Sequence, residues 1–213
     1  MAALSKEQRS LLETATLRYA DHLDDAAEWL AGRGIDLEHA RSNGLGVVRD
    51  PLPQHAGLEG RLAIPYLTDF GPVNMTFRCL ADHDCKSIEF HGKYEKMKGW
   101  VTNLYGMQSV GHADEWIAVT EGEVDRLTLT QIGIPAIGVP GAENWQAHWV
   151  NVFEDFSRIY VFTDGDKAGR DMWDRFSHEL GSKAIRVRMP DGEDVNSIYT
   201  KHGAEPLVSG IKK

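Results

Sequence analysis

A mostly parallel α/β sheet in the second half of the chain, preceded by a smaller helical and mixed α/β segment, is the fold class the sequence predicts. Three observations predict it. Residues 113–200 alternate strand-like apolar runs with helix-like runs throughout. Residues 47–112 carry short strand-like runs separated by turn residues. Residues 1–46 show apolar positions at helical spacing.

In chain order, Ser5-Lys6-Glu7-Gln8 is a capping-box pattern, and Leu11, Leu12, Ala15 and Tyr19 follow on one helical stripe. A second helix runs from about Asp24 through Trp29 and Leu30 and stops at Gly32 or Gly34. Asp36 caps a third, ended by Asn43-Gly44. Arg61 to Tyr66 and Val73 to Arg78 read as strands of a hairpin around the turn Thr68 to Pro72. Further on, Lys93, Lys96 and Lys98 alternate with Tyr94 and Trp100. Two readings fit that pattern: a groove that tracks a single strand and stacks its bases, and a solvated charged hairpin.

From residue 113 the predicted strands are Trp116–Thr120, Pro135–Pro140, Ile159–Thr163 and Ala184–Met189. Helices follow each of them: through Leu127 and Leu129 to Gly133, around Trp145–Phe153, from Lys167 to Leu180, and a short one through Ile198 and Tyr199. Such sheets place their sites at the carboxyl ends of the strands. Three of the four strands end in acids: Glu121, then Asp164 and Asp166, then Asp191 and Asp194. Asp125 lies four residues after Glu121, on the same face of the following helix. The second strand ends in Pro140-Gly141, which leaves room for something large. Carboxylates converging on one crevice repel one another unless a cation lies between them, and hard oxygen ligands suit Mg²⁺ or Mn²⁺. Gly165, between Asp164 and Asp166, reads as the residue that lets this loop bend sharply. The plainer reading of the same loop is a strand-to-helix turn with Asp166 as N-cap.

The 213 residues are 42% hydrophobic, enough for one large domain or two small ones. No run of about 18 apolar residues exists, and Met1 to Arg9 lacks the apolar stretch of a signal peptide, so a cytoplasmic protein away from membranes is expected. Two cysteines agree with a reducing compartment. The net charge of −9 counts against nucleic-acid binding unless acids gather at a metal site and bases gather elsewhere. Cys79, His83, Cys85 and His91 carry zinc-type donors, but the intervening five residues between the cysteines exceed the usual two to four, so no zinc is expected.

Thr120-Glu-Gly-Glu-Val-Asp125, Phe162-Thr-Asp-Gly-Asp-Lys-Ala-Gly-Arg-Asp171 and Met189-Pro-Asp-Gly-Glu-Asp194 resemble the three signature segments of a toprim domain, the Rossmann-like metal-binding fold of bacterial primases, topoisomerases and some nucleases. Their wording is most similar to DnaG-type DNA primases. Trp29 to Ile35, Gly44-Leu-Gly46, Arg61 to Pro65, Phe77-Arg78, Lys93-Tyr94 and Leu104-Tyr-Gly106 follow that family's order, so the resemblance spans about residues 25–202. It implies an RNA polymerase core divided into an N-terminal subdomain (1–112), a toprim domain (113–202) and a tail (203–213).

By that resemblance Glu121 is a metal ligand or general acid/base, Asp164 and Asp166 are principal Mg²⁺ ligands, and Asp125, Asp191 and Asp194 surround the same ions. Arg61, Arg78 and Lys93 match residues that guide the template strand. A second family lysine is replaced by Trp100, with Lys98 nearby. Lys167 and Arg170 match either a triphosphate contact or a plain helix surface. Expected partners are single-stranded DNA, ribonucleoside triphosphates, and a replicative helicase or separate zinc-binding chain. The zinc and helicase-binding modules of such primases have no counterpart in the 213 residues, as in a core encoded by a bacteriophage or mobile element. A toprim nuclease and a non-catalytic single-strand-binding subunit remain as alternatives. A receiver-like signalling domain also places acids at strand ends but lacks the helical and basic regions seen here.

Overall fold

The computed structural model describes residues 4–89, 91–97 and 99–211. The chain divides between Val101 and Thr102 into two units. No helix among the described residues is long and apolar enough to cross a membrane.

In the first unit, helix α1 (Lys6–Ala20) begins at a capping box: Ser5 accepts from the Gln8 amide and the Gln8 side chain accepts from the Ser5 amide. A 3-10 turn at Leu23–Ala26 runs into α2 (Ala27–Gly32), and Asp36 holds the N-cap position of α3 (Leu37–Ser42). Strands β1 (Gly46–Val47), β2 (Leu62–Thr68), β3 (Gly71–Arg78) and β4 (Tyr94–Lys96) form an antiparallel sheet in that order. Leu12, Ala15 and Tyr19 of α1 pack on Ala63, Met75 and Phe77 of the sheet, which is why the first helix carries its apolar stripe.

A titratable side chain lies within that core. His55 is fully buried, with Nδ1 at 2.8 Å from the Tyr19 hydroxyl, which also accepts from the Leu52 amide at 3.1 Å. Its Nε2 has no partner, and burial holds the imidazole down to about 4. The unfolded chain therefore binds a proton that the folded chain refuses between its ordinary 6.5 and about 4. Stability is complete above that window and is lost as pH falls through it. The expected loss is about 2 kcal/mol between pH 7.5 and pH 5. The check is an NMR titration of the His55 ring, whose midpoint should lie near 4; a midpoint near 6.5 would remove this source of acid sensitivity.

The second unit opens with α4 (Gln108–His112), after Tyr105 has paired with Gly138 through two backbone bonds of 2.9 Å. Strands β5 (Trp116–Thr120), β6 (Ala136–Gly138), β7 (Arg158–Thr163) and β8 (Ala184–Arg188) form a wholly parallel sheet ordered β6-β5-β7-β8. Helices α5 (Glu123–Gln131), α6 (Lys167–Leu180), α7 (Val195–His202) and α8 (Glu205–Ser209) cover it. Alternate residues of one strand serve opposite faces: Ile159 and Val161 meet Phe153, Met172 and Phe176, whereas Tyr160 and Phe162 meet Leu129, Val195 and Ile198. Both faces are therefore dry, as the near-continuous apolar runs require.

The stretch expected as a helix around Trp145–Phe153 folds as 3-10 turns, Ala142–Asn144 and Ala147–Phe153. Trp145, Trp149 and Phe153 all enter the core there, and the Trp145 indole donates to Glu179 at 2.7 Å.

Candidate active site

The strand order puts β5 and β7 side by side, while their crossovers leave in opposite directions, to β6 and to β8. That is a topological switch point, where adjoining loops diverge and leave a crevice beyond the carboxyl ends. Glu121 follows β5 and Asp164 follows β7, and they meet across this point: the Asp164 amide donates to Glu121 Oε1 at 2.9 Å.

Asp164 is the hub. Burial first, then the Asp125, Glu121, Asp194 and Asp166 carboxylates, push its carboxyl up to about 8. Glu121 is raised as well, chiefly by burial and further by Asp166, against the Asp164 amide bond and the Arg186 guanidinium, which lower it. Five acids thus share one field. Each of the others accepts a bond from a backbone amide. Asp125, in the first turn of α5, accepts from the Asn196 amide at 3.0 Å. Asp166 caps α6, accepting from the Gly169 amide at 2.9 Å. Asp194 caps α7, accepting from the Ser197 amide at 2.6 Å. Asp166 is therefore the N-cap of the plainer reading and a neighbour of Asp164 at once. Asp191 stands apart: it is exposed and paired with Arg188 at 2.5 Å.

The loops that carry these acids interlock through backbone. The Gly165 amide donates to Glu193 O at 2.9 Å, and the Gly192 amide donates to Gly165 O at 3.1 Å. Gly165 is absent from the positive-φ residues, so it serves close approach rather than a sharp bend. A Cβ there would lie 1.8 Å from Pro190 O, and one at Gly169 would lie 2.2 Å from Asp164 O.

The donor set consists of carboxylate oxygens around a carboxyl that resists ionisation, which fits a hard divalent cation. A full cage of protein oxygens is one way to hold such a cation. Mg²⁺ needs no such cage, since it keeps several waters and takes one or two carboxylates together with substrate phosphates.

The other expected residues lie elsewhere. Lys167, exposed, pairs with Asp171 at 2.5 Å, and Arg170 is exposed on the same helix. In the first unit Arg61 and Arg78 are only 7% and 5% exposed. Arg61 donates to Gly92 O at 2.9 Å, and Arg78 stacks between the Trp29 and Tyr94 rings, each centroid at 4.9 Å, with a bond to the Tyr94 hydroxyl. Lys93 is exposed. Lys98 lies outside the described residues. Gly141 sits in the left-handed region after β6, its amide donating to Glu121 O at 3.3 Å.

Sequence reasoning missed two neighbours of the acids. Arg186, on β8, donates to Thr163 Oγ1 at 3.1 Å, stacks on Trp173 at 5.5 Å and counters the charge of Glu121. Asn196, 2% exposed, holds Asp125 with its amide and Thr128 with its side chain at 2.9 Å. The alternation of arginine with apolar residues along β8 was the available signal for Arg186; Asn196 left none.

Residues 118–199 match the family model described as Toprim-like. The Gene 57 protein of Mycobacterium phage D29 is 32% identical over 157 residues, covering 71% of this chain and 98% of that protein. A DNA primase of Pasteurella multocida is 30% identical over 146 residues, 64% of this chain but 25% of its own length, so the chain spans about a quarter of that primase. The structure of a DnaG primase catalytic domain bound to single-stranded DNA superposes with a TM-score of 0.73 at 21% identity, over 95% of this chain and 79% of that one. Fold, signature segments and relatives agree: the chain belongs to the DnaG-type primases, and its second unit carries their toprim domain.

Proposed function

We propose that this chain is a primase catalytic core, a nucleotidyltransferase that joins ribonucleoside triphosphates into short RNA on a single-stranded DNA template. The observation that carries the reading is the meeting of Glu121 and Asp164 across the β5–β7 switch point, with three further acids crowding Asp164.

In this reading Asp164 and Asp166 are the principal ligands of Mg²⁺ or Mn²⁺, with Glu121, Asp125 and Asp194 completing the acidic rim and Asp191 an outer member. When bound, the divalent cations lower the pKa of the attacking 3′-hydroxyl and stabilise the departing pyrophosphate. Glu121, held by the Asp164 amide, fixes that amide and orients the loop from which Asp164 and Asp166 project. Asn196 and Ser197 keep Asp125 and Asp194 from swinging away. Lys167 and Arg170, at the start of α6, contact the triphosphate. Lys93 contacts template phosphate; Arg61 and Arg78, being buried, act by holding the segment from which Lys93 projects. A helicase or a separate zinc-binding chain would supply start-site choice and delivery to the template.

The test is ribonucleotide incorporation on single-stranded DNA with Mg²⁺ or Mn²⁺, comparing wild type with Glu121→Gln. Short RNA made by wild type and reduced about a hundredfold or more in the variant is the expected result. Template cleavage dependent on the same acids would replace polymerase by nuclease. Template binding without synthesis, even with a partner primase present, would make this an accessory subunit.

A further inference from the structure

We infer that the first unit holds a structural zinc ion in a Cys₂His₂ site formed by Cys79, His83, Cys85 and His91. These residues belong to the segment between β3 and β4, far in sequence from the acids of the second unit. Their four donor atoms all lie within 4.8 Å of one another. His83 Nε2 is 3.5 Å from Cys79 Sγ and 3.0 Å from His91 Nε2, and His91 Nε2 is 3.2 Å from Cys79 Sγ. A tetrahedral zinc with sulfur at about 2.3 Å and nitrogen at about 2.0–2.1 Å spaces its ligands by about 3.3–3.8 Å. The three separations among Cys79, His83 and His91 are close to the edges of that tetrahedron, slightly contracted, while the full set of four, spread over at most 4.8 Å, would draw in by up to about 1 Å on binding the ion.

The surroundings supply a second argument. Among the described residues only a short 3-10 turn, Cys85–Ser87, interrupts the connection between β3 and β4. Its described residues from Ala81 to Glu89 are exposed except for Cys85, so little apolar burial orders them. Connections of this length without a core of their own are uncommon unless something ties them down. The ends are already pinned, since the Cys79 amide donates to Lys93 O at 2.9 Å. A metal at the four donors would fasten the middle.

Charge and protons balance. Binding releases both thiol protons to solvent, and the two thiolates offset the two charges of zinc. No net charge is therefore placed beside Arg61. Zinc on His91 Nε2 leaves the ring proton on Nδ1, so the Arg61 contact to Nδ1, 3.2 Å, opens while its bond to Gly92 O remains. The five-residue gap between the cysteines had counted against zinc. Spacing stands in for convergence only when the intervening chain is a tight knuckle, and here a longer loop folds the donors together.

The inference does not depend on what the chain catalyses, and its test reads metal directly. The full chain, produced with zinc in the medium and desalted, should carry about one zinc per molecule by elemental analysis. His83→Asn, at an exposed position, and Cys79→Ser should each lose most of it, whereas Asp164→Asn should keep it. Replacement by Co²⁺ should give the visible bands and thiolate charge transfer of a tetrahedral site. Chelation should open the segment between Cys79 and Lys93 to proteolysis with the rest of the chain intact. Zinc content that is absent from wild type, that is equal in wild type and Cys79→Ser, or that follows Asp164 would overturn the site. So would a Cys79–Cys85 disulfide in the freshly isolated protein.

Discussion

Asp164→Asn is expected to raise the stability of the metal-free protein at pH 8 by about 2 kcal/mol while lowering nucleotide incorporation about a thousandfold. Both effects come from one cause. In the folded chain the Asp164 carboxyl is pushed up to about 8 from an ordinary 3.8 by burial and by four acidic neighbours. Between those values the folded state holds a proton that the unfolded state has released. Stability therefore falls as pH rises through the window, and the full penalty is present above about 8. The figure of 2 kcal/mol is well below the direct conversion of the shift, because the group is partly open to solvent. Asparagine removes the ionisation, so its advantage should shrink as pH is lowered towards 5. Excess Mg²⁺ should reverse the order, stabilising wild type more than the variant, since a cation bound only to the folded state adds to its stability. Thermal denaturation in chelator and in Mg²⁺, at pH 5 and pH 8, measures all four corners. A variant less stable than wild type in chelator at pH 8 would show that the acids do not strain the fold.

Much of the architecture was legible because it depends on local chemistry. The Ser5–Gln8 capping box is a four-residue code, and the parallel sheet announces itself through apolar runs that leave no polar face. The acids could be placed at one crevice because parallel strands share a direction, so every strand end lies on the same edge of the sheet. What resisted reading depends on contacts between distant segments. Arg61 and Arg78 look from their flanking positions like groups open to a ligand, yet folding lays one on Gly92 O and the other between two aromatic rings. Their buried state follows from where Trp29 and the β3–β4 connection come to rest, which no local pattern encodes. Asn196 is similar: it looks like a helix-surface residue until α5 arrives beside α7. Cys79 and His91 are twelve residues apart and meet only through the path of the loop.

Gly165→Ala is expected to be the most damaging single methyl in the second unit, costing about 3 kcal/mol or more and lowering the melting temperature by about 10 °C. The new Cβ would lie 1.8 Å from Pro190 O and 2.9 Å from the Asp191 Cα, both backbone atoms that no rotamer change can move. Relief requires the Pro190–Asp194 loop to withdraw. That breaks the bonds from the Gly165 amide to Glu193 O and from the Gly192 amide to Gly165 O. Asp194 is carried on the withdrawing loop and Asp164 on the one it leaves, so the acidic crowding should relax as well. Activity should then fall even in molecules that remain folded, and the pH dependence of the metal-free protein should flatten towards that of Asp164→Asn. Gly192→Ala separates this mechanism from a general intolerance of the loop. Gly192 has φ of +78° but nothing within 4 Å of a Cβ, so its cost is conformational and about 1 kcal/mol. If the two substitutions cost the same, close approach is not what Gly165 provides. If Gly165→Ala alone flattens the pH profile, the interlocked loops are what hold the acids around Asp164.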